Sequence, residues 1–193
     1  MLPMLGLIRL VQANYSQYSS RYDRYLDRDV APVFDPSLSG GALYDLNVYN
    51  LSLIISLFGR PQSASYAANI GFNGIDTSGI LTLRYDGFVA SAAAAKDSMS
   101  PSFFMIQGES GWIHAEGTPN ELRSFTVGLR GKEQRTYALN RYEHRMVHEF
   151  EAMRVIFERG DYARAEEGLH TTRTVMAVME KARLMAGIQF RAD

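Results

Sequence analysis

The stretch from Gly40 to Pro61 constrains this chain more than any other part of its sequence. It opens on two glycines, continues as an apolar run, and ends at Gly59-Arg60-Pro61. Glycine favours the end of a helix, and a proline shortly afterwards cannot continue one. The pattern therefore predicts a helix over the apolar run, with both of its ends fixed by the sequence.

Two polar side chains interrupt this apolar run. Asp45 and Tyr49 are four residues apart, so a helix places them one turn apart on the same face. The pair has two interpretations. It is either a functional pair that faces a bound molecule, or an acid favoured by the helix dipole followed by a buried tyrosine.

After Pro61 the apolar residues recur at every second position, which is typical of strands. The turn Asp86-Gly87 between two such runs is a strong hairpin signal, and strands joined by tight turns pair antiparallel. The predicted strands cover residues 5–15, 63–71, 79–85, 88–95, 102–108, 111–116, 122–129 and 134–139. They make a predominantly antiparallel open sheet of about six to eight strands.

The last third of the sequence returns to helical spacing. Apolar residues at intervals of three and four predict one helix from Asn140 to Gly160 and a second from Leu169 to Met185. The predicted fold class is therefore α+β, with helices packed on one face of the sheet. We expect a single domain over residues 1–193.

Composition excludes several classes of protein. The 193 residues carry 20 Lys and Arg against 21 Asp and Glu, a net charge of -1, and they include no cysteine. Nucleic acid binding, disulfide frameworks and thiolate metal sites are therefore not expected. No apolar run approaches the ~18 residues of a membrane span, and the first residues lack the basic region of a signal peptide. We expect a cytoplasmic protein with no membrane partner.

Residues 15–39 interleave tyrosines with arginines and aspartates, and Pro32 and Pro36 prevent a long helix there. Such a segment is either a loop that binds a sugar-type ligand or an ordinary connection. His144 and His148 have the spacing of a helical zinc site, but the H-E-x-x-H pattern and a third ligand are missing. No metal site is therefore expected.

The sequence Gly40-Gly-Ala-Leu-Tyr-Asp-Leu-Asn-Val-Tyr49 resembles the signature Gly-Gly-x-Leu-x-Asp-x-Gly-x-(His/Tyr) of one enzyme family. This is the glucose–fructose oxidoreductase / inositol dehydrogenase / rhizopine catabolism (Gfo/Idh/MocA) family of NAD(P)-dependent sugar dehydrogenases. The segment from Val178 to Phe190 resembles the C-terminal sequence of proteins in the same family. The resemblance covers nearly the whole chain but only the second half of such an enzyme, whose Rossmann domain comes first.

The resemblance implies roles for five residues. Tyr49 is expected to be the acid or base in the oxidation of an alcohol, and Asp45 its orienting or substrate-binding partner. Tyr25, Arg28 and Asn47 are expected to contact substrate, with Asn47 in place of the family's glycine. The substrate implied is a carbohydrate or polyol.

The resemblance also implies NAD or NADP in the parent enzyme but no cofactor for this chain alone. The sequence has neither the G-x-G-x-x-G fingerprint nor the Glu-Lys-Pro motif that supplies the family's lysine, and Lys96, Lys132 and Lys181 stand in other contexts. In the family the open sheet face pairs subunits, and monomers rarely keep such an apolar face exposed, so a homo-oligomer is expected.

Two functions remain open on the sequence. One is the substrate-binding and oligomerisation part of an NAD(P)-dependent oxidoreductase that acts on a sugar or polyol hydroxyl. A strand that begins almost at residue 1 favours this first function, since it is typical of a chain that continues a longer protein. The alternative is a free-standing, non-catalytic binding or interaction protein derived from the same fold.

Overall fold

A computed structural model describes residues 1–191 and contains eight strands and four α-helices within that range. The strands are β1 (Ile8–Ser16), β2 (Ser63–Ile70), β3 (Asp76–Arg84), β4 (Val89–Ala95), β5 (Phe103–Gly108), β6 (Gly111–Glu116), β7 (Phe125–Leu129) and β8 (Arg135–Tyr137). The helices are α1 (Tyr22–Leu26), α2 (Val48–Phe58), α3 (Met146–Arg159) and α4 (Tyr162–Met185). Short 3-10 turns cover Leu2–Leu5, Pro32–Phe34, Pro36–Leu38 and Pro119–Glu121, and a π turn covers Leu43–Asn47.

All eight strands belong to one open sheet, in the order β2-β3-β4-β1-β5-β6-β7-β8. Every described pair is antiparallel except β1 with β4, which run parallel with Ser16 opposite Ala95. The predicted α+β fold and predominantly antiparallel sheet are therefore confirmed. Because β1 and β4 are parallel, their carboxyl ends meet at one edge of the sheet, and the residues that follow them become neighbours.

Helix α2 packs on the middle of the sheet, and α4 packs on α2 and β2. Leu51 and Ile54 of α2 are fully buried, as are Met179 and Ala182 of α4. The helix-facing positions of β4 are alanines, so α2 approaches this strand closely. Alternation along the strands places their remaining side chains on the opposite, uncovered face.

Several predicted boundaries differ from the structure, among them the starts of β1 and β7, which lie three residues later than predicted. Helix α4 begins at Tyr162 rather than at Leu169, because the Asp161 carboxylate caps it by accepting from the Arg164 backbone N–H at 3.1 Å. Helix α3 begins at Met146 rather than at Asn140. Strand β3 begins three residues before its predicted start. The helix predicted after Gly41 is a π turn followed by α2.

Two other findings concern exposure. None of the residues of α3 is buried, and Phe150, Met153 and Phe157 on its apolar side are exposed. Within residues 1–191, one segment, Pro36–Phe58, is long and apolar enough by composition to cross a membrane, with a mean hydropathy of 1.2. The hydropathy is that of an 18-residue stretch of this segment, and half of the stretch is buried in this fold. The burial of its apolar residues against the sheet accounts for its composition.

Two buried amides join the start of α2 to β4. Asn47 Nδ2 donates to the Ala92 carbonyl at 2.9 Å, and Asn50 Nδ2 donates to the Ala93 carbonyl and to Asn47 Oδ1, each at 2.9 Å. Both asparagines are fully buried. These bonds fix the distance and rotation of α2 on the sheet, because buried polar groups are costly when unpaired.

Replacement of Asn47 by alanine should lower the free energy of unfolding by roughly 1–3 kcal/mol, because it removes a buried amide that donates to the Ala92 carbonyl and accepts from Asn50. Urea unfolding of the chain measures the change. The matched control is Asn140→Ala, since exposed Asn140 also donates to a backbone carbonyl, that of Leu122, at 2.8 Å. An equal loss in the two variants would contradict the assigned role of Asn47.

Candidate functional site

The candidate site lies where the π turn meets α2. A π turn widens the helix locally, and such turns are frequent at functional sites. The Asp45 side chain in this turn is 41% exposed, and Tyr49 in the first turn of α2 is also 41% exposed. Both lie close enough to the Tyr15 hydroxyl to influence its protonation. The structure therefore brings the two predicted catalytic side chains together on one accessible surface.

Tyr15, at the carboxyl end of β1, completes this surface. Its ring centroid lies 5.9 Å from that of Tyr49, with the planes tilted by 52°. Burial is the main cause that raises the pKa of Tyr15, and the Tyr49 hydroxyl and the Asp45 carboxylate raise it further. A hydrogen bond with Asn120 and the charge of Arg145 act in the opposite direction. We call Asp45, Tyr49 and Tyr15 the acid–phenol surface.

A buried carboxylate holds the beginning of the π turn. Asp76 Oδ2 accepts from the Leu43 backbone N–H at 2.6 Å and from the Tyr66 hydroxyl at 2.7 Å. Gly41 adopts φ +103, and a side chain there would collide with the Asp76 carboxylate. Burial raises the pKa of Asp76, and its hydrogen bonds partly offset that effect. The second glycine of the signature is therefore required by the backbone angle and by the carboxylate beside it.

A buried lysine holds the middle of the same turn. Lys96, which directly follows β4, is only 2% exposed, and its ammonium donates to Asp45 Oδ2 at 2.5 Å and to the Val33 carbonyl at 2.8 Å. It also lies 4.6 Å from the centroid of the Phe34 ring. Burial lowers the pKa of Lys96, and the Asp45 carboxylate counteracts that effect. Lys96 lies outside the lysine motif of the family, yet the structure pairs it with a predicted catalytic residue.

The three predicted substrate contacts do not join the acid–phenol surface. Asn47 is fully buried, and both ends of its amide are engaged within the fold. Tyr25 is 1% exposed, stacks on Phe34 and Phe72 at 4.7 Å and 4.5 Å, and donates to Asn73. Both side chains are thus engaged within the fold, and their contact with substrate stays a prediction.

Arg28 lies at the outer end of the same aromatic cluster. Its guanidinium carbon lies 3.8 Å from the centroid of the Phe72 ring, and the residue is exposed with φ +68. It thus contacts the ring that covers Tyr25, and the structure does not bring it to the acid–phenol surface. Within segment 15–39, Tyr25 and Phe34 belong to the core, whereas Tyr15 at its start lies at the acid–phenol surface.

The histidine pair does not form the predicted helical arrangement. His144 precedes α3 and accepts from the Met146 backbone N–H at 3.3 Å, while His148 accepts from the Arg141 backbone N–H at 3.3 Å. Among residues 1–191, no group of three or more metal-ligating side chains is arranged around a common point. The polar groups of the acid–phenol surface are one carboxylate and two phenol hydroxyls.

The stability of the fold should depend on pH through Asp76. The folded chain holds the Asp76 proton more tightly than the unfolded chain, whose carboxyl has its ordinary pKa of 3.8. The contribution of Asp76 to the free energy of unfolding is therefore full below that pH. It is lost as the pH rises through the raised pKa of the folded state. Asp76→Asn keeps an acceptor for both donors but removes the charge. The stability of the wild type relative to this variant should therefore fall as the pH rises from about 4 to about 8.

Urea unfolding at several pH values tests this expectation. Asp86→Asn, in the exposed turn between β3 and β4, is the control and should follow the wild type at every pH. A constant difference between the wild type and Asp76→Asn over the whole range would contradict a raised pKa.

Comparison with known proteins identifies the fold and the family. Residues 4–114, more than half of the chain, match the family model described as the GFO/IDH/MocA C-terminal domain. The chain is 31% identical over 189 residues to the scyllo-inositol 2-dehydrogenase (NADP(+)) IolU of Bacillus subtilis, covering 98% of this chain and 57% of that protein. It is 30% identical over 192 residues to the oxidoreductase YgjR of Escherichia coli, covering 100% and 58%.

Solved structures share the architecture at lower identity. The aldose-aldose oxidoreductase of Caulobacter crescentus, solved with glycerol, superimposes with a TM-score of 0.67 and 18% identity, over 93% of this chain and 55% of that one. The chain thus spans little more than half the length of these relatives. Together with its Gly-Gly-x-Leu-x-Asp signature, the family match establishes that this chain belongs to the Gfo/Idh/MocA oxidoreductase family, as its C-terminal domain.

Proposed function

We propose that this chain is the substrate-binding and oligomerisation part of an NAD(P)-dependent oxidoreductase that acts on a hydroxyl of a sugar or polyol. The observation that carries the proposal is the acid–phenol surface, where the partly exposed Asp45 and Tyr49 lie beside the largely buried Tyr15. The names of two relatives support it, since one is an inositol dehydrogenase and the other an aldose-aldose oxidoreductase.

The proposed chemistry is the movement of one proton. Oxidation of an alcohol requires that the hydroxyl lose its proton while hydride leaves the carbon, and a positioned side chain accelerates such a transfer. In this proposal the hydroxyl of Tyr49, a residue that is 41% exposed, exchanges that proton with the substrate. The Asp45 carboxylate accepts a hydrogen bond from the substrate or from Tyr49 and so fixes the direction of transfer. Tyr15 forms the wall beside Tyr49.

The residues of this chain fit the alcohol rather than a dinucleotide. The accessible groups are the Asp45 carboxylate and the Tyr49 phenol, and the sequence contains no G-x-G-x-x-G turn to receive a pyrophosphate. A nicotinamide cofactor held by another part of the parent enzyme would supply the hydride acceptor. The proton is the part of the reaction assigned to this chain.

Tyr49→Phe should reduce kcat for polyol oxidation by about 10²- to 10⁴-fold in the parent enzyme, because it removes the proton-transfer group while preserving the ring. The reaction is followed by the absorbance of the reduced nicotinamide with a panel of inositols and aldoses. Tyr162→Phe, an exposed tyrosine at the start of α4, is the control. An unchanged kcat in Tyr49→Phe would refute the assignment.

The uncovered sheet face is the proposed surface for subunit pairing. Ile80 of β3 and Val89 of β4 lie on this face and are 53% and 46% exposed. Trp112, the single tryptophan of the sequence, lies on the same face and covers Gly128. Ile80, Val89 and Trp112 give this face apolar side chains that are at least partly exposed, and exposed apolar patches are typical of surfaces that pair.

Replacing Ile80 and Val89 together by aspartate should convert the oligomer to a monomer, because pairing would then bury two charges without partners. Sedimentation velocity measures the mass, and the fluorescence maximum of Trp112 should shift to longer wavelength as its surroundings become hydrated. Leu139→Asp, which alters an exposed leucine outside this face, is the control. A wild-type monomer at all concentrations would refute the proposed pairing.

A further inference from the structure

We propose that Lys96 is the positioning residue of the candidate site: from inside the core it fixes the Asp45 carboxylate so that one oxygen is held and the other faces the acid–phenol surface. The catalytic meaning of this role rests on the proposed function, whereas the orientation itself is a property of the chain. Lys96 does not touch substrate, because it is only 2% exposed.

The backbone of Lys96 is anchored on both sides. Its N–H donates to the Thr77 carbonyl at 2.8 Å, and its carbonyl accepts from the Ser19 N–H at 2.9 Å. The side chain therefore leaves the sheet edge from a fixed point. Since β1 and β4 are parallel and Ser16 lies opposite Ala95, this point lies just beyond the carboxyl end of β1.

The ammonium has three N–H donors, and its surroundings define their directions. Asp45 Oδ2 and the Val33 carbonyl accept two of them, and the face of the Phe34 ring lies on a further side. A cation over an aromatic face is favourable, particularly when it is desolvated. The ammonium is thus held by three groups from one connected segment, residues 33–45, and cannot move without leaving one of them.

The consequence for Asp45 is that its two oxygens have different roles. Oδ2 is bound by the ammonium, whereas Oδ1 carries no hydrogen bond from any residue in the range 1–191 that the structure describes. The side chain is 41% exposed, so Oδ1 is accessible at the acid–phenol surface. A carboxylate held by one oxygen presents the other in a single direction, which is the preorganisation that proton transfer requires.

Opposite charges also couple Lys96 to Asp45. Removal of an ammonium from water is costly, and burial lowers the pKa of Lys96, while Asp45 and, at longer range, Asp76 favour its charged form. Asp45 therefore stabilises the buried charge as Lys96 orients the carboxylate. Breaking a buried pair by removing one partner leaves the other uncompensated. This coupling explains why a partly exposed carboxylate can be held rigidly.

Lys96→Met tests the proposal, because methionine keeps the length of the stem and removes the charge. Three-bond NMR couplings should show Asp45 in one side-chain rotamer in the wild type and averaged over several in Lys96→Met. In the parent enzyme kcat should fall roughly 10- to 100-fold while KM changes less than about threefold, since the loss affects the transition state. Lys96→Arg, which keeps a cation, should recover part of the loss, and the exposed Lys132→Met should change nothing.

The readouts separate this proposal from the proposed function. An Asp45 rotamer that stays fixed in Lys96→Met overturns the positioning role, whether or not the enzyme oxidises polyols. A parent enzyme without polyol oxidation contradicts the proposed function, while the rotamer measurement still decides the role of Lys96. If Lys96→Met does not fold, Lys96→Leu, which also removes the donor to Asp45, is measured by the same couplings and should show averaging of Asp45.

Discussion

The site depends on the attachment of one five-residue π turn to the sheet. Alternate residues of the turn, Leu43, Asp45 and Asn47, are bound by Asp76, Lys96 and the Ala92 carbonyl. Each partner comes from β3, from β4 or from the residue that follows β4. The turn is therefore held at three alternate residues, by two side chains and one backbone carbonyl of the sheet. A helix start in this wider conformation would otherwise relax towards the narrower α-helix, which has better hydrogen-bond geometry.

The topology of the sheet explains why these partners are available at one place. The single parallel pair, β1 with β4, brings the carboxyl ends of both strands to the same edge. Tyr15 ends one strand, and Lys96 follows the other. The chain crosses over between them through α1 and α2, so the π turn passes across that edge. The crossover between β1 and β4 thus brings the π turn to the strand ends that hold it. It departs from the antiparallel pairing of the other described strands.

The period-two runs and the Asp86-Gly87 turn predict most of the sheet, because these signals act between residues close in sequence. The pair Gly40-Gly41 likewise predicts where the helix begins, and the structure supplies the reason, the Asp76 carboxylate beside Gly41. Asp45 and Tyr49 are found from the family signature. Local signals were sufficient for these features.

The features that sequence analysis missed depend on contacts between distant residues. Lys96 lies 51 positions from Asp45, and no local pattern joins them, although a lysine directly after a run of buried alanines was a usable signal. Tyr25 looked like a ligand contact because it lies in a polar, aromatic segment, yet Phe34 and Phe72 bury its ring. Polarity of a segment does not tell which of its side chains face inward.

The measurement that tests this account most directly is a titration of the chain, labelled with ¹³C in its 11 tyrosine rings, with an inositol. The acid–phenol surface predicts that the ring signals of Tyr49 and Tyr15 shift together as the polyol binds, while buried Tyr25 remains unchanged. Shifts at Tyr25 with none at Tyr49 and Tyr15 would contradict the account and place the ligand in segment 15–39 instead.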